Sequence, residues 1–245
     1  IIIISIFVRR QLTISNPLLN LNVFKGRIFC FSTITSMIIM LSMVGPALLI
    51  PLYVQNALGL SALLSGLVIM PGAIINGIMS VFTGRFYDKY GPRPLIYAGF
   101  SLLTICTLLL CFLKADTSYI YLIVIYAIRM FAVSLLMMPI NTTGINALDN
   151  KDISHGTAIM NFGRVMAGSL GTALMVTFMS IGSKWIGPSS SAHASKELLH
   201  RQSVAAGVDV SFALVTGFVV VAFLFALFIK EPNRKSQNMR AVSYT

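Results

Sequence analysis

Apolar residues run through this chain in stretches far longer than a soluble helix needs, and short polar or glycine-containing breaks mark where each stretch ends. From residue 28 to 84 there is no Asp, Glu, Lys, Arg or His, a run of 57 residues. As one helix it would be about 85 Å long, nearly three times the roughly 30 Å of a bilayer core. It must fold back on itself. Gln55, Asn56 and Gly59 to Ser61 supply the turn, because polar and glycine residues can end a helix where water and headgroups satisfy the backbone. The pattern predicts spans at about 28–54 and 62–83, then at about 94–113, 119–140, 157–181 and 209–229. The opening run IIIISIFV starts at Ile1 rather than Met and has eight residues, about 12 Å as helix. It is expected to be the end of a helix cut in half. The expected organisation is a helix end at 1–8, a linker at 9–27, a six-helix unit at 28–229 and a tail at 230–245.

Composition supports an all-α membrane protein. Hydrophobic residues make up 56% of the chain and charged ones 10%, against roughly a quarter charged in a soluble domain. The formal charge of +11 does not point to nucleic acid, because the basic residues are spread in small groups between apolar runs and build no phosphate-tracking face. Cys30, Cys106 and Cys111 all lie in apolar stretches without metal or redox spacing. No nucleophile-and-base set, metal cluster or glycine-rich phosphate loop is present, and His155, His193 and His200 form no pattern. An enzyme reading has nothing to rest on, and no cofactor or metal is expected.

Lys and Arg fall unevenly between alternate connections. One set holds Arg9, Arg10, Lys25, Arg27, Arg85, Lys89, Arg93, Lys151, Lys230, Arg234, Lys235 and Arg240; the other holds Lys114, Lys184, Lys196 and Arg201. Twelve against four places the connections after the second and fourth spans, and the C-terminus, in the cytoplasm. Asn141-Thr-Thr matches an N-glycosylation acceptor, but it falls on the cytoplasmic side and reads as chance.

The connection after the second span is GRFYDKYGPRP, from Gly84 to Pro94. On charge alone it is a basic turn, with two glycines for a tight reversal and Asp88 close to the start of the next helix, whose dipole favours an anion. Its order and spacing resemble the G-x-L-x-D-[RK]-x-G-[RK]-[RK] signature of major facilitator transporters. Gly84, Asp88, Lys89, Gly91 and Arg93 match, and Phe86 and Pro92 depart. The fifth span, MNFGRVMAGSLGTAL, resembles the N-x-x-R-Q-x-G-x-S-L-G-x-A pattern of the fourteen-helix drug:proton antiporters of the EmrB/QacA type. Asn161, Arg164, Ser169, Leu170, Gly171 and Ala173 match, while Val165 and Ala167 depart. NPLLNLNVFKGRIF and IPLYVQNALGLSALLSGLVIMPG resemble the lead-in and the first extracellular hairpin of that family's C-terminal half.

The resemblance implies one half of a major facilitator fold in a bacterial cytoplasmic membrane. It implies a partner N-terminal half outside this chain, amphipathic and cationic or weakly basic drugs as substrates, and a proton gradient as energy source. The Gly84–Arg93 connection would act as a cytoplasmic latch between states. Two other readings remain open: another facilitator, moving a metabolite by symport or uniport, or a non-transporting six-helix scaffold or channel subunit. The scaffold predicts no internal symmetry, whereas a facilitator half repeats its first three spans in its last three, inverted.

Four polar residues inside spans are candidates for lining a cavity or for coupling: Asn76, Arg129, Asn161 and Arg164. Arg129 lies near the bilayer midplane, where a cation costs about 2.5 to 3.5 kcal/mol on the insertion scale, so it should meet a cavity or a partner rather than lipid. Its alternatives are a structural one, pairing with backbone carbonyls or an acid of the other half, and a transport one. Arg164 is close enough to a span end to snorkel out. Gly163, Ala167 and Gly171 recur at intervals of four and predict a close-packing helix face. Gly45 with Pro46, and Pro71, interrupt the helical hydrogen-bond ladder and predict a bend or hinge. The acidic residues Asp88, Asp116, Asp149, Asp152, Glu197, Asp209 and Glu231 are all expected in loops or at span ends, leaving no proton carrier within a span.

Overall fold

The computed structural model describes residues 20–114, 117–186 and 196–227. The expected helix end at 1–8, most of the 9–27 linker and the 230–245 tail lie outside the described residues, as do Asp116, His193 and Glu231. Six helices follow one another: α1 (Arg27–Asn56), α2 (Ala62–Tyr90), α3 (Pro92–Leu109), α4 (Tyr119–Asn146), α5 (Ile153–Ile186) and α6 (Lys196–Leu227). All six are long and apolar enough to cross a membrane, and no strand occurs among the described residues. A short 3-10 turn, Leu21–Lys25, leads into α1.

Helices α2, α4, α5 and α6 outrun the spans expected of them. The pattern of apolar residues marks where a helix is in hydrocarbon, and helicity continues past that limit wherever nothing breaks it. Two consequences correct the sequence reading. The Gly84–Arg93 connection is not a loop: Gly84, Asp88 and Lys89 are in the last turns of α2, Arg93 is in the first turn of α3, and only Gly91 lies between them. Likewise Asp209 is not at a helix end but in the body of α6, where its Oδ1 accepts the backbone N–H of Leu113 at 3.0 Å.

Successive helices alternate in direction. The α1–α2 and α3–α4 connections meet the first turns of α6 at one end, called here the Ser61 end. Tyr53 donates its hydroxyl to the Lys114 carbonyl there, Tyr119 donates to the Leu64 carbonyl at 2.8 Å, and the Arg201 guanidinium lies over Gly59, which has φ +69°. Ser61 caps α2, its Oγ accepting the Leu64 N–H. The start of α1, Gly91 and the α4–α5 connection share the opposite end, where Asn20 Nδ2 donates to Asp152 Oδ1 at 2.9 Å.

Helices α1 and α4 form the centre. α1 packs chiefly on α5 as α4 packs on α2, and α4 packs on α3 as α1 packs on α6. These pairings exchange when α1–α3 are swapped with α4–α6, the inverted repeat that distinguishes a facilitator half from a scaffold. The α5–α6 pair is closer than its counterpart α2–α3, because Gly182 sits against Gly207 Cα, 2.9 Å from where a Cβ would be. Phe100, Leu103, Val133 and Leu136 are wholly buried in the middle of the unit, as are Tyr53, Leu122 and Phe212 toward the Ser61 end. Apolar burial drives little association when the competing solvent is lipid, so close packing and interhelical hydrogen bonds hold the helices together.

Candidate functional site

A cavity of about 420 Å³ lies between α1, α2, α4 and α5. Helix periodicity builds it. Asn76 and Ser80 are one turn apart on α2, and Ser134, Met137, Met138 and Asn141 follow the i, i+3, i+4, i+7 stripe of α4. Met43 of α1, Thr142 of α4 and Arg164 of α5 complete the wall. Asn76 Nδ2 donates to the Met130 carbonyl at 3.1 Å, tying α2 to α4 at the cavity's edge. Arg164 Nη2 donates to Asn161 Oδ1 at 2.6 Å, one turn back on α5. Of the four polar candidates, Asn76 and Arg164 therefore line the cavity directly, Asn161 holds Arg164, and Arg129 lies elsewhere. Among the described residues the cavity's one charged side chain is a cation, and no carboxylate reaches it.

Arg129 is fully buried between α4 and α1. Its Nη2 donates to the Ser42 backbone carbonyl and, at 3.0 Å, to Ser42 Oγ. The chemistry of that contact is set four residues further along α1. A helical carbonyl normally accepts the N–H of the residue four ahead, and four ahead of Ser42 stands Pro46, which has none. Arg129 supplies the donor that Pro46 withholds. Its Nε and Nη1 have no partner among the described residues, so the cation satisfies α1 without being neutralised.

The connection from Gly84 to Arg93 is built on Gly91, which adopts φ +79° and donates its N–H to the Tyr87 carbonyl at 2.8 Å. A left-handed residue here ends α2 and lets Pro92 begin α3 at its first position, where the missing N–H costs nothing. Gly84 makes no turn. It lies within α2, with the Sδ and Cε of Met138 both 3.3 Å from where its Cβ would be, so its smallness brings α2 onto α4. Asp88, Lys89 and Arg93 are exposed, and Lys89 Nζ lies 5.2 Å from the Tyr90 ring centre.

The small residues of α5 face α1. A Cβ on Gly171 would stand 3.0 Å from Leu41 Cα and from its carbonyl oxygen, Gly163 lies against Met37, and Ala167 is buried. Gly45 faces the same crossing from the α1 side, against Met175 and the Gly171 carbonyl. Pro46 and Pro71 are both inside continuous helices, as are Pro51 and Pro139.

Four of the cavity's polar residues, Ser80, Ser134, Asn141 and Thr142, are not among the cavity candidates of the sequence reading. Asn141 falls just past the expected end of its span and reads there only as a chance sequon, and Ser134 has no motif around it. Their spacing of seven on one face of α4 is the signal that was available. Asp209 is missed for the opposite reason: a charge taken as marking a span end is held inside the helix by a backbone donor, Leu113, of the α3–α4 connection.

The known proteins that resemble the chain agree with this architecture. Residues 5–172 match the family described as the Major Facilitator Superfamily. The chain is 37% identical over 230 residues to the lincomycin resistance protein LmrB of Listeria innocua, an alignment covering 94% of this chain and 48% of the relative. Against LmrB of Bacillus subtilis it is 35% identical over 226 residues, covering 92% and 47%. Against the multidrug export protein EmrB of Escherichia coli it is 28% identical over 185 residues, covering 75% and 35%. The chain spans about half the length of the first two.

Proposed function

Because the chain belongs to the Major Facilitator Superfamily of multi-pass membrane transporters, we propose that it forms the C-terminal six-helix half of a proton-driven drug exporter of the fourteen-helix type. The observation that carries this reading is the cavity and what surrounds it. Helices α2 and α5 both border it and are the least covered of the six, with 17% and 28% of their most apolar stretches buried against 56% for α4. A second six-helix half laid against α2 and α5 would close the cavity into a central site, which rocking of the two halves exposes to each side in turn. The names of the relatives, lincomycin resistance and multidrug export, favour amphipathic drugs, cationic or weakly basic ones among them, over metabolites. Asp209 of α6 is not part of the cavity wall, so a carboxylate that meets a cationic drug in this cavity would come from the other half.

In this reading the six-helix unit is residues 28–229 and the membrane is the bacterial cytoplasmic membrane, with the Gly91 end inside. Asp88, Lys89 and Arg93 beside the Gly91 turn form the latch, and the Pro46 and Pro71 segments are where α1 and α2 bend as the halves rock. Cells expressing the full-length exporter should extrude drug until a protonophore collapses the gradient, whereas cells with residues 1–245 alone should not. In the same assay Asp88→Asn should lower efflux at unchanged expression. Proton-dependent efflux by residues 1–245 alone would replace the half-transporter reading with a self-assembled dimer. Orientation is tested separately: a cysteine at Ser61 should react with an impermeant maleimide in intact cells, and one at Tyr90 only after permeabilisation. Labelling of position 90 in sealed cells would invert the topology.

A further inference from the structure

The cavity holds two polar atoms that the fold leaves without partners. Ser134 is 3% exposed, and neither its Oγ nor Asn141 Oδ1 has a hydrogen-bond partner among the described residues. Both side chains line the cavity. They stand seven residues apart on α4, which is about 10 Å along the helix and close to two full turns. Between them on the same wall lie Met137 and Met138, flexible and polarisable side chains that adapt to an irregular apolar surface. A buried polar atom without a partner destabilises the fold, and buried polar atoms are paired in the great majority of cases. Two on one face of one helix, both turned to the same cavity, make a surface prepared for something that enters it.

The atoms also define what that something is. An amide oxygen only accepts, so Asn141 Oδ1 needs a donor; a hydroxyl can donate or accept. The charged group on the wall is Arg164, already bonded to Asn161, and no acid among the described residues faces the cavity. A cationic group would find no counter-charge here and would meet a like charge instead. We infer that Ser134 and Asn141 bind an uncharged, hydroxyl- or amide-bearing part of the transported molecule, with its polar groups about 10 Å apart and an apolar stretch between them lying on Met137 and Met138. The inference rests on the export reading for its setting, and it assigns this half of the site to the neutral polar portion of a drug rather than to its charge.

The test uses the full-length exporter and two probes of contrasting chemistry. Lincomycin carries several hydroxyls and an amide; tetraphenylphosphonium is a permanent cation with no hydrogen-bond donor. Ser134→Ala and Asn141→Leu should each lower lincomycin efflux, together by about tenfold, and should lower tetraphenylphosphonium efflux far less. In purified exporter carrying Ser134→Cys, lincomycin should slow alkylation of the new thiol and tetraphenylphosphonium should not. Equal loss of both effluxes would assign the two atoms to contacts with the other half and overturn the inference, as would unchanged lincomycin efflux or an unprotected thiol. Protection by lincomycin without any efflux would sink the export reading while leaving the binding site in place.

Discussion

Replacing Arg129 by Met is expected to destabilise the full-length exporter by about 2 kcal/mol, the cost of leaving a buried carbonyl without a donor, and Pro46→Ala is expected to cancel most of that loss. The cycle follows from the geometry. Ser42 offers its carbonyl to Arg129 because Pro46 cannot donate to it; an alanine at 46 restores the N–H and makes the guanidinium redundant for α1. Thermal unfolding of the parent, the two single variants and the double variant measures the coupling directly. Additive losses would show that Arg129 and Pro46 act independently. Transport is the second readout. A neutral donor would satisfy Ser42 without the roughly 2.5 to 3.5 kcal/mol that a cation costs at membrane depth, so the retained charge points beyond the fold. Efflux should therefore stay low in the double variant even as stability returns. Arg129→Lys, which keeps both the charge and a donor, should retain most of each. Full efflux from the stable double variant would leave Arg129 with only the structural role.

How much of this could be read from the sequence depended on whether the signal was periodic or pairwise. The six helices were legible because hydrocarbon thickness sets a length that no soluble pattern imitates: the uncharged run from 28 to 84 admits two crossings and no other arrangement. Their ends were less so, since Arg85, Asp88 and Lys89 stop a hydropathy window without stopping a helix. The same bias hid Asn141, cut from its helix by its polarity, and placed Asp209 at a span end when α6 begins at Lys196. Pairwise relations were out of reach. That Asn76 holds the Met130 carbonyl, or that Arg129 answers Pro46 across two helices, requires knowing that α4 lies against both α1 and α2. Sequence reasoning named Gly45, Pro46 and Arg129 separately and assigned bending to two of them. In the fold Gly45 sits at the α1–α5 crossing and Pro46 creates the vacancy that Arg129 fills.

Gly171→Leu carries the other large effect. The interval of four that joins Gly163, Ala167 and Gly171 predicts a close-packing face, and at Gly171 the approach is to backbone as well as to a side chain: Leu41 Cγ lies 2.9 Å, and its Cα and O both 3.0 Å, from the position of a Cβ. A flexible neighbour such as Met37 beside Gly163 can rotate aside, but the α1 backbone cannot move without displacing Gly45 from Met175 on the same crossing. Overpacking of this kind costs about 3 kcal/mol, and a leucine adds three more carbons beyond the Cβ. The variant should unfold at a markedly lower temperature and export nothing. Gly217→Leu is the matched control, because it makes the same change within a spanning helix where nothing lies within 4 Å of the new Cβ, and it should keep both stability and efflux. If Gly171→Leu behaves as Gly217→Leu does, the α5 face does not pack on α1 in the assembled exporter, and the pairing of α1 with α5 that frames the cavity is wrong.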